Sequence, residues 1–406
     1  MSGNAKLTIF VPKEIRSDET RVAATPDSVK KYIEWGCSVI IEEGAGAAAS
    51  IADVDFKAAG AAIEKDAKKG YAAADITIAV NPPAMHPKAR KHQLCLMKKG
   101  ATWVSFLVPQ SEPDALKEVE NNKLSLLSMN LIPRISRAQK MDALTSQSNI
   151  AGYKAAIMAA GRLGKIFPLM MTAAGTIQPA KVIVLGAGVA GLQAIATAKR
   201  LGAHVEASDV RPAVKEQVES LGAKFIDVPF EEGVEDKGGY AKEASKEYIQ
   251  RQKEEIEKRL PEADVVITTA LIPGKKAPIL LTEEQVKLMR PGSVIVDMAS
   301  EQGGNCALTE PGKDAVKHGV TIMGTSNIPA TVPVHTTQLY ARNVLALLQG
   351  LIKDGKLIFT MEDEVVAGAL VARDGGIVHP SLKEEKSKPA KLDTPKGKSK
   401  KGGSFS

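Results

Sequence analysis

Cysteine is nearly absent: the 406 residues hold three, Cys37, Cys95 and Cys306, far apart and outside any CxxC or Cys/His cluster. That excludes a disulfide framework and a structural zinc site, and it fits a reducing compartment. Histidine is scarce as well, with six residues at 86, 92, 204, 318, 335 and 379 whose spacing resembles neither a metal site nor a triad. Aromatics make up 4% of the chain and no strand interleaves them with basic residues, so no base-stacking nucleic-acid surface is expected. The N-terminus, MSGNAKLTIFVPKE, lacks the roughly 7 to 15 residue apolar core of a secretory signal, and no Arg/Ser-rich presequence precedes the first strand. The protein is expected to stay where it is made.

Long apolar runs are also missing, with one exception. Val182 to Ala198 is uncharged and apolar, but its 17 residues are short for a bilayer, which needs about 20. Its GAGVAG interior reads as strand, turn and helix rather than as one lipid-facing helix.

What is present is ordinary globular material, 44% hydrophobic and 25% charged, in a chain long enough for two cores and a tail. The net charge of +7 is misleading, because residues 381–406 carry eight Lys against three acidic residues, leaving the body close to neutral. That tail, rich in Lys, Ser, Pro and Gly, has almost nothing to bury and is expected to be disordered, either as a solvated linker or as a weak attachment to anionic lipid headgroups.

The opening reads as a strand over Leu7 to Val11, a helix over Pro26 to Glu34 and a strand over Ser38 to Glu42. Apolar runs at Ile76 to Val80, Trp103 to Leu107 and Leu124 to Ser128 alternate with charged helical stretches such as Asp114 to Asn121. Alternation of this kind predicts a mainly parallel sheet covered by helices on both faces. A long helix, Ser146 to Met171, is expected to lead to a second unit starting at Lys181. That unit runs VIVLG, helix, HVEASD, helix (Ala213 to Leu221), KFIDV, a charged stretch, DVVITTA, helix (Glu283 to Met289), SVIVDMA and VTIMGT. The fold class is therefore α/β, with two Rossmann-like doubly wound parallel-sheet domains joined by a long helix and a cofactor in the cleft. The division expected is residues 1–139 plus about 330–380, residues 140–329, and the tail 381–406. A helix at about Thr337 to Leu351 and strand-like pieces between Ile358 and Val378 return to the first domain.

Gly186-Ala-Gly188-Val-Ala-Gly191 follows the strand Val182 to Leu185 and opens a helix. In this setting the first glycine permits a tight turn, the second lets backbone approach a pyrophosphate, and the third lets helix and strand pack closely. The helix N-terminus adds N–H groups and a positive dipole end. Asp209 ends the next strand, 18 residues after Gly191, where a Rossmann fold places the carboxylate that accepts from the adenosine ribose hydroxyls. That argues for NAD over NADP, although Arg211 is placed to soften the repulsion of a 2′-phosphate. Ala270 and Leu271, in TTALIPG, lie at the carboxyl edge of the sheet, where ligands bind. Tyr240 falls in a charged stretch, Glu231 to Glu247, broken by Gly238-Gly239, which reads as a hinge-equipped surface loop.

Longer stretches are more specific than the glycines. They include PKEIRSDETRVAATP, PRISRAQKMDALTSQSNIAGY, MTAAGTIQPAKVIVLGAGVAGLQAIATAKRLGA, ITTALIPGKKAP, PGSVIVDMASEQGGNC and GTSNIPA. Through them, over about residues 7 to 380, the chain resembles the NAD(H)-binding subunits of proton-translocating NAD(P) transhydrogenases, relatives of alanine dehydrogenase. The resemblance implies that Arg134, Gln139 and Asp142 hold the dihydronicotinamide, with Gln139 also touching the NADP(H) of a partner, although by physics alone RISRAQKMD is only a polar loop entering a helix. Thr145 stands where relatives often have Ser and keeps the hydroxyl. Gly186, Gly188, Val189, Gly191, Asp209, Val210, Ala270 and Leu271 are implied to bind NAD(H), with Tyr240 on a mobile lid. A homodimer is implied, and so are membrane-spanning partner subunits and an NADP(H)-binding domain. The cytoplasmic chain is then peripheral to the inner face of the membrane.

Alanine dehydrogenase itself is the nearest rival, since Lys13 and Arg21 survive from its substrate region. Its acid/base groups do not: the segment Val104 to Pro109 has no His, Glu301 stands in place of an Asp, and Asn81 in place of a Lys. Hydride passing between two nicotinamide rings needs no such group. A non-catalytic NAD sensor is a third reading, against which the intact Arg134, Gln139 and Asp142 set speaks.

Overall fold

The computed structural model describes residues 6–227, 246–272, 275–353, 355–380 and 382. Two sheets organise them. The first has eight strands, ordered across the sheet as Gly376–Ile377, Leu370–Arg373, Ser125–Ser128, Thr102–Ser105, Ile76–Ile78, Thr8–Val11, Ser38–Glu42 and Ala62–Glu64. All its pairings are parallel except those of Leu370–Arg373, which runs antiparallel to both neighbours. The second has seven, ordered Lys224–Phe225, His204–Ser208, Lys181–Leu185, Val265–Thr268, Val294–Asp297, Val320–Met323 and Asp314–Lys317, with only the last strand antiparallel.

Each sheet starts in its middle, extends to one side and then resumes on the other, so each has a switch point beside its first strand. In the first sheet it lies between Thr8–Val11 and Ile76–Ile78; in the second, between Lys181–Leu185 and Val265–Thr268. The central strands read as unbroken apolar runs because helices cover both faces: Ile9, Phe10, Val11, Ile76, Ile78, Val265, Val266 and Ile267 are fully buried. The α/β architecture of two doubly wound sheets is thus the one expected.

Helix Ala143–Arg162 joins the two sheets. Apart from Gln147 its buried residues are small, among them Ala151, Gly152, Ala155, Ala156 and Ala159, and this lets it lie almost against helix Val189–Arg200. A Cβ at Gly152 would stand 2.0 Å from the carbonyl oxygen of Ala190. The expected helix over Ser146 to Met171 is too long. It stops at Arg162, before Gly164 and Pro168, and Met170–Thr172 pairs antiparallel with Gly175–Ile177 in a hairpin whose six strand residues are all exposed. The third long helix starts a turn earlier than expected, at Pro333, because proline at the first position needs no hydrogen-bond partner; it runs to Leu351. Between Ile358 and Val378 the strands Leu370–Arg373 and Gly376–Ile377 are preceded by a helix, Glu364–Ala369, capped by Asp363, where only strand-like pieces were expected.

Candidate functional site

The glycine turn lies at the second sheet's switch point. Gly186 has a φ of 99°, which favours glycine, and a Cβ at Gly191 would meet the Gly186 carbonyl oxygen at 1.9 Å, so both are demanded by the protein itself. Gly188 is different. Its φ is −74° and a Cβ there would meet nothing nearer than the Arg211 guanidinium, at 3.8 Å. Neither backbone conformation nor packing requires glycine at 188. What a side chain would obstruct is the open space in front of helix Val189–Arg200, whose first turn has no side-chain cap. Val189, the first helical residue, faces that space with 36% of its surface exposed.

Asp209 is buried beside the turn. Its Oδ2 accepts from the Ala187 N–H at 2.7 Å and from the Arg211 side chain at 3.0 Å, while Oδ1 accepts from the Arg211 N–H at 2.9 Å and Nε at 3.0 Å. Val210, half-buried, sits between the two. On the other side of the switch point, Ala270 is half-buried and Leu271 is exposed.

Arg134 and Gln139 are exposed, and Gln139 lies in the short helical turn Ser136–Met141. Asp142 caps helix Ala143–Arg162: its carboxylate accepts from the Thr145 N–H at 2.8 Å and from the Thr145 hydroxyl at 2.6 Å. Asn343 anchors the loop by donating to the Lys140 carbonyl at 2.8 Å. Since Gly152 of the same helix touches Ala190, this loop is roughly 15 Å along the helix axis from the glycine turn. Tyr240 lies outside the described residues.

The first sheet's switch point is closed by side chains that the sequence reading did not connect. The Glu14 carboxyl, turned inward just after the first strand, accepts from the Val80 N–H at 2.6 Å and the Asn81 side chain at 2.9 Å. Glu19 takes the Arg21 guanidinium on two sides, at 2.7 Å each, and accepts from Asn81 at 3.0 Å and Asn327 at 3.1 Å. The rest of the Arg21 fork donates to Gln147 at 2.9 Å and to Asn327 at 3.0 Å. Burial and the nearby Glu19 charge, opposed by the hydrogen bonds from Val80 and Asn81, raise the Glu14 pKa to about 7. Burial pushes Glu19 the same way, but the Arg21 guanidinium outweighs it and holds Glu19 below the usual carboxylate range. Glu301 faces Arg16 at 3.2 Å and Lys13 is exposed, its N–H on Glu42 at 2.8 Å. Among the described residues no group of three or more His, Cys, Asp or Glu is placed to hold a metal, and no helix is long and apolar enough to cross a membrane.

Residues 10–151 match the family model described as alanine dehydrogenase/PNT, N-terminal domain, and residues 155–380 match its C-terminal domain. The chain is 50% identical over 380 residues to the first-part alpha subunit of the NAD(P) transhydrogenase of Rhodospirillum rubrum, covering 93% of this chain and 99% of that protein. This chain belongs to the NAD(P) transhydrogenase alpha-subunit family. The solved transhydrogenase from Sinorhizobium meliloti superposes with a TM-score of 0.82 at 41% identity, over 91% of this chain and all of that one. The alanine dehydrogenase of Methanococcus maripaludis is more distant, 28% identical over 384 residues, 93% of this chain and 95% of that protein. In this chain the Arg21 fork is filled by Glu19, Gln147 and Asn327, Asn81 is tied to two carboxylates, and Lys13 is exposed. Of the two switch points, the second has at its turn a glycine, Gly188, with open space beside it.

Proposed function

We propose that this chain is the NAD(H)-binding subunit of a proton-translocating NAD(P)⁺ transhydrogenase. The observation that carries the reading is Gly188, a glycine that neither packing nor backbone conformation requires, at the uncapped N-terminus of a helix on a doubly wound switch point. A dinucleotide fits that cradle. Gly186, Gly188, Val189 and Gly191 receive the pyrophosphate, Asp209 and Val210 the adenosine ribose, Ala270 and Leu271 meet the cofactor from the strand edge, and Tyr240 is a further proposed contact. Arg134, Gln139, Asp142 and Thr145 meet the nicotinamide end. Asp142 and Thr145 do so indirectly as well, since their capping bonds fix where the loop ends and the helix begins.

When bound, NADH supplies a hydride, which passes with both electrons to NADP⁺ on a partner subunit, leaving NAD⁺ here and NADPH there. No proton is taken up at the site, which suits a loop whose functional side chains are a guanidinium, an amide and a capped carboxylate. Proton translocation belongs to membrane-spanning partners, so the chain is cytoplasmic and peripheral on the inner face. The working units are residues 1–139 with about 330–380, and residues 140–329. A homodimer is supported by the hairpin that follows the connecting helix, whose Leu169, Met170, Met171 and Ile177 are 54%, 43%, 76% and 43% exposed. A second copy is the occupant proposed for that apolar patch.

The test mixes the purified chain with the NADP(H)-binding component of its transhydrogenase and follows reduction of an NADP⁺ analogue by NADH. Transfer that requires both proteins is expected. Failure of that transfer, or alanine-dependent NADH formation by the chain alone, would overturn the reading.

A further inference from the structure

The end of strand Val265–Thr268 is tied down residue by residue. The Thr268 hydroxyl donates to Asp297 Oδ1 at 3.1 Å, and the Thr269 hydroxyl donates to the carbonyl of Gly186 at 2.9 Å. The Ala270 N–H donates to Asn305 Oδ1 at 3.0 Å, while Asn305 Nδ2 donates to the carbonyls of Ala270 at 2.9 Å and Pro278 at 2.8 Å. Asn305 is fully buried, and its own N–H is held by Asp297 Oδ2 at 2.8 Å. Asp297, also fully buried, accepts in addition from the N–H groups of Ala299 and Cys306, both at 3.0 Å, and from the Thr309 hydroxyl at 2.6 Å. A carboxylate so fully engaged keeps one orientation, and everything hung on it inherits that orientation.

We propose that Thr269, backed by Asn305 and Asp297, is a positioning residue for bound NAD(H). This deepens the reading of the glycine turn as the cofactor site and rests on it. The Thr269 hydroxyl bridges the two sides of the switch point: it holds the carbonyl of the turn's first glycine, and it lies 2.6 Å and 3.2 Å from where Cβ atoms at Gly186 and Gly191 would stand. It therefore sets how far the phosphate-facing turn stands from the Ala270–Leu271 edge. Because Asn305 already takes the Ala270 N–H, Ala270 offers the ligand a fixed surface and not a donor. The dinucleotide thus meets two walls whose spacing is set before it arrives, which lowers the ordering cost of binding.

The experiment measures NADH affinity by fluorescence titration, and thermal denaturation alongside, for Thr269→Val, Thr269→Ser and Gly188→Val. Thr269→Val keeps the shape and removes the donor; it should weaken NADH binding about tenfold with the melting temperature nearly unchanged. Thr269→Ser restores the hydroxyl and should restore affinity to within about twofold. If the valine variant does not fold, Thr269→Ala supplies the same comparison with serine. Wild-type affinity in Thr269→Val, or a serine variant as weak as the valine one, overturns the proposal if Gly188→Val has lost binding. If Gly188→Val binds NADH normally, the cofactor-site reading itself is wrong.

Discussion

Asp209 and Arg211 form a forked ion pair on the outer face of the glycine turn, the arginine Nε and Nη2 each donating to a different carboxylate oxygen at 3.0 Å. The same carboxylate accepts from Ala187 inside the turn, so it couples the turn to the following strand. In the proposed NAD(H) complex, ribose hydroxyls reaching Asp209 would compete with Arg211 for its carboxylate oxygens.

The first prediction concerns that carboxylate. NADH should bind more tightly than NADPH, because a 2′-phosphate adds a like charge beside Asp209, and Arg211 offsets only part of it. Asp209→Ala should erase most of the preference and weaken NADH about tenfold, since it also leaves the Ala187 N–H without its acceptor. Equilibrium titration of both nucleotides against both proteins decides it. Equal affinities in the wild type would end the assignment of Asp209.

The glycine turn was legible from sequence because its parts are contiguous: a strand, three glycines and a helix within 20 residues, with Asp209 at the next strand's end. The closed switch point of the first sheet was not. Glu14, Glu19, Arg21, Asn81, Gln147 and Asn327 come from distant parts of the chain and meet only through the topology, so local spacing carries no trace of their contacts. The overlong helix has a physical cause too. Apolar Ile166 to Met171 continue a helical pattern, but Phe167 packs into the core while Leu169 to Met171 are exposed at the hairpin, and pattern alone does not separate a buried face from an exposed one. Thr269 and Asn305 were missed because an ordinary Thr and Asn gain meaning only when the atoms they hold are known.

Helix contact at Gly152 gives a stability prediction with an internal control. Gly152→Ala puts a methyl group into the Ala190 carbonyl, against backbone that cannot yield cheaply, and should destabilise the fold by about 1–3 kcal/mol. Gly161→Ala, on the same helix with nothing within 4 Å, should be neutral or stabilising by up to about 1 kcal/mol. Chemical denaturation separates the two; equal effects would mean that the close approach of the helices is wrong.

The hairpin tests assembly. Met171 is 76% exposed in a run of apolar side chains, so Met171→Glu should convert a dimer into monomers at micromolar concentration and leave secondary structure intact. Sedimentation velocity reads the change. A wild-type monomer refutes the dimer, and a variant that still dimerises places the interface elsewhere.

Glu14 predicts a pH dependence of stability. Its usual pKa is 4.5 and its folded value about 7, so between those limits the native state holds a proton that the unfolded chain has released. Stability should therefore fall as pH rises from 4.5 to 7, by on the order of 1–3 kcal/mol. Glu19 acts in a separate window, since its lowered pKa adds stability that is lost only as pH falls below the ordinary Glu range. Glu14→Gln keeps the shape and removes the titration, so denaturant midpoints at pH 5 and 7.5 should converge in the variant. An unchanged slope would show that another group is responsible.

The last prediction separates rate from affinity. Gln139 is exposed on a loop anchored through Asp142 and Asn343, roughly 15 Å along the connecting helix from the glycine turn. NADH affinity is expected to rest on the glycine turn and its flanks, while Gln139 acts where two nicotinamide rings must be brought face to face across a subunit boundary. Shortening it by one methylene in Gln139→Asn should slow transfer to a partner-bound NADP⁺ analogue by at least about tenfold, a modest cost for misplaced reactants. The Kd for NADH should hardly move, because a group that acts on the approach of the second ring contributes little to binding the first. Stopped-flow transfer rates and NADH titrations on the same preparations give both numbers. Should affinity and rate fall together, Gln139 is a binding residue and the positioning role belongs elsewhere; should neither change, the loop does not face the partner.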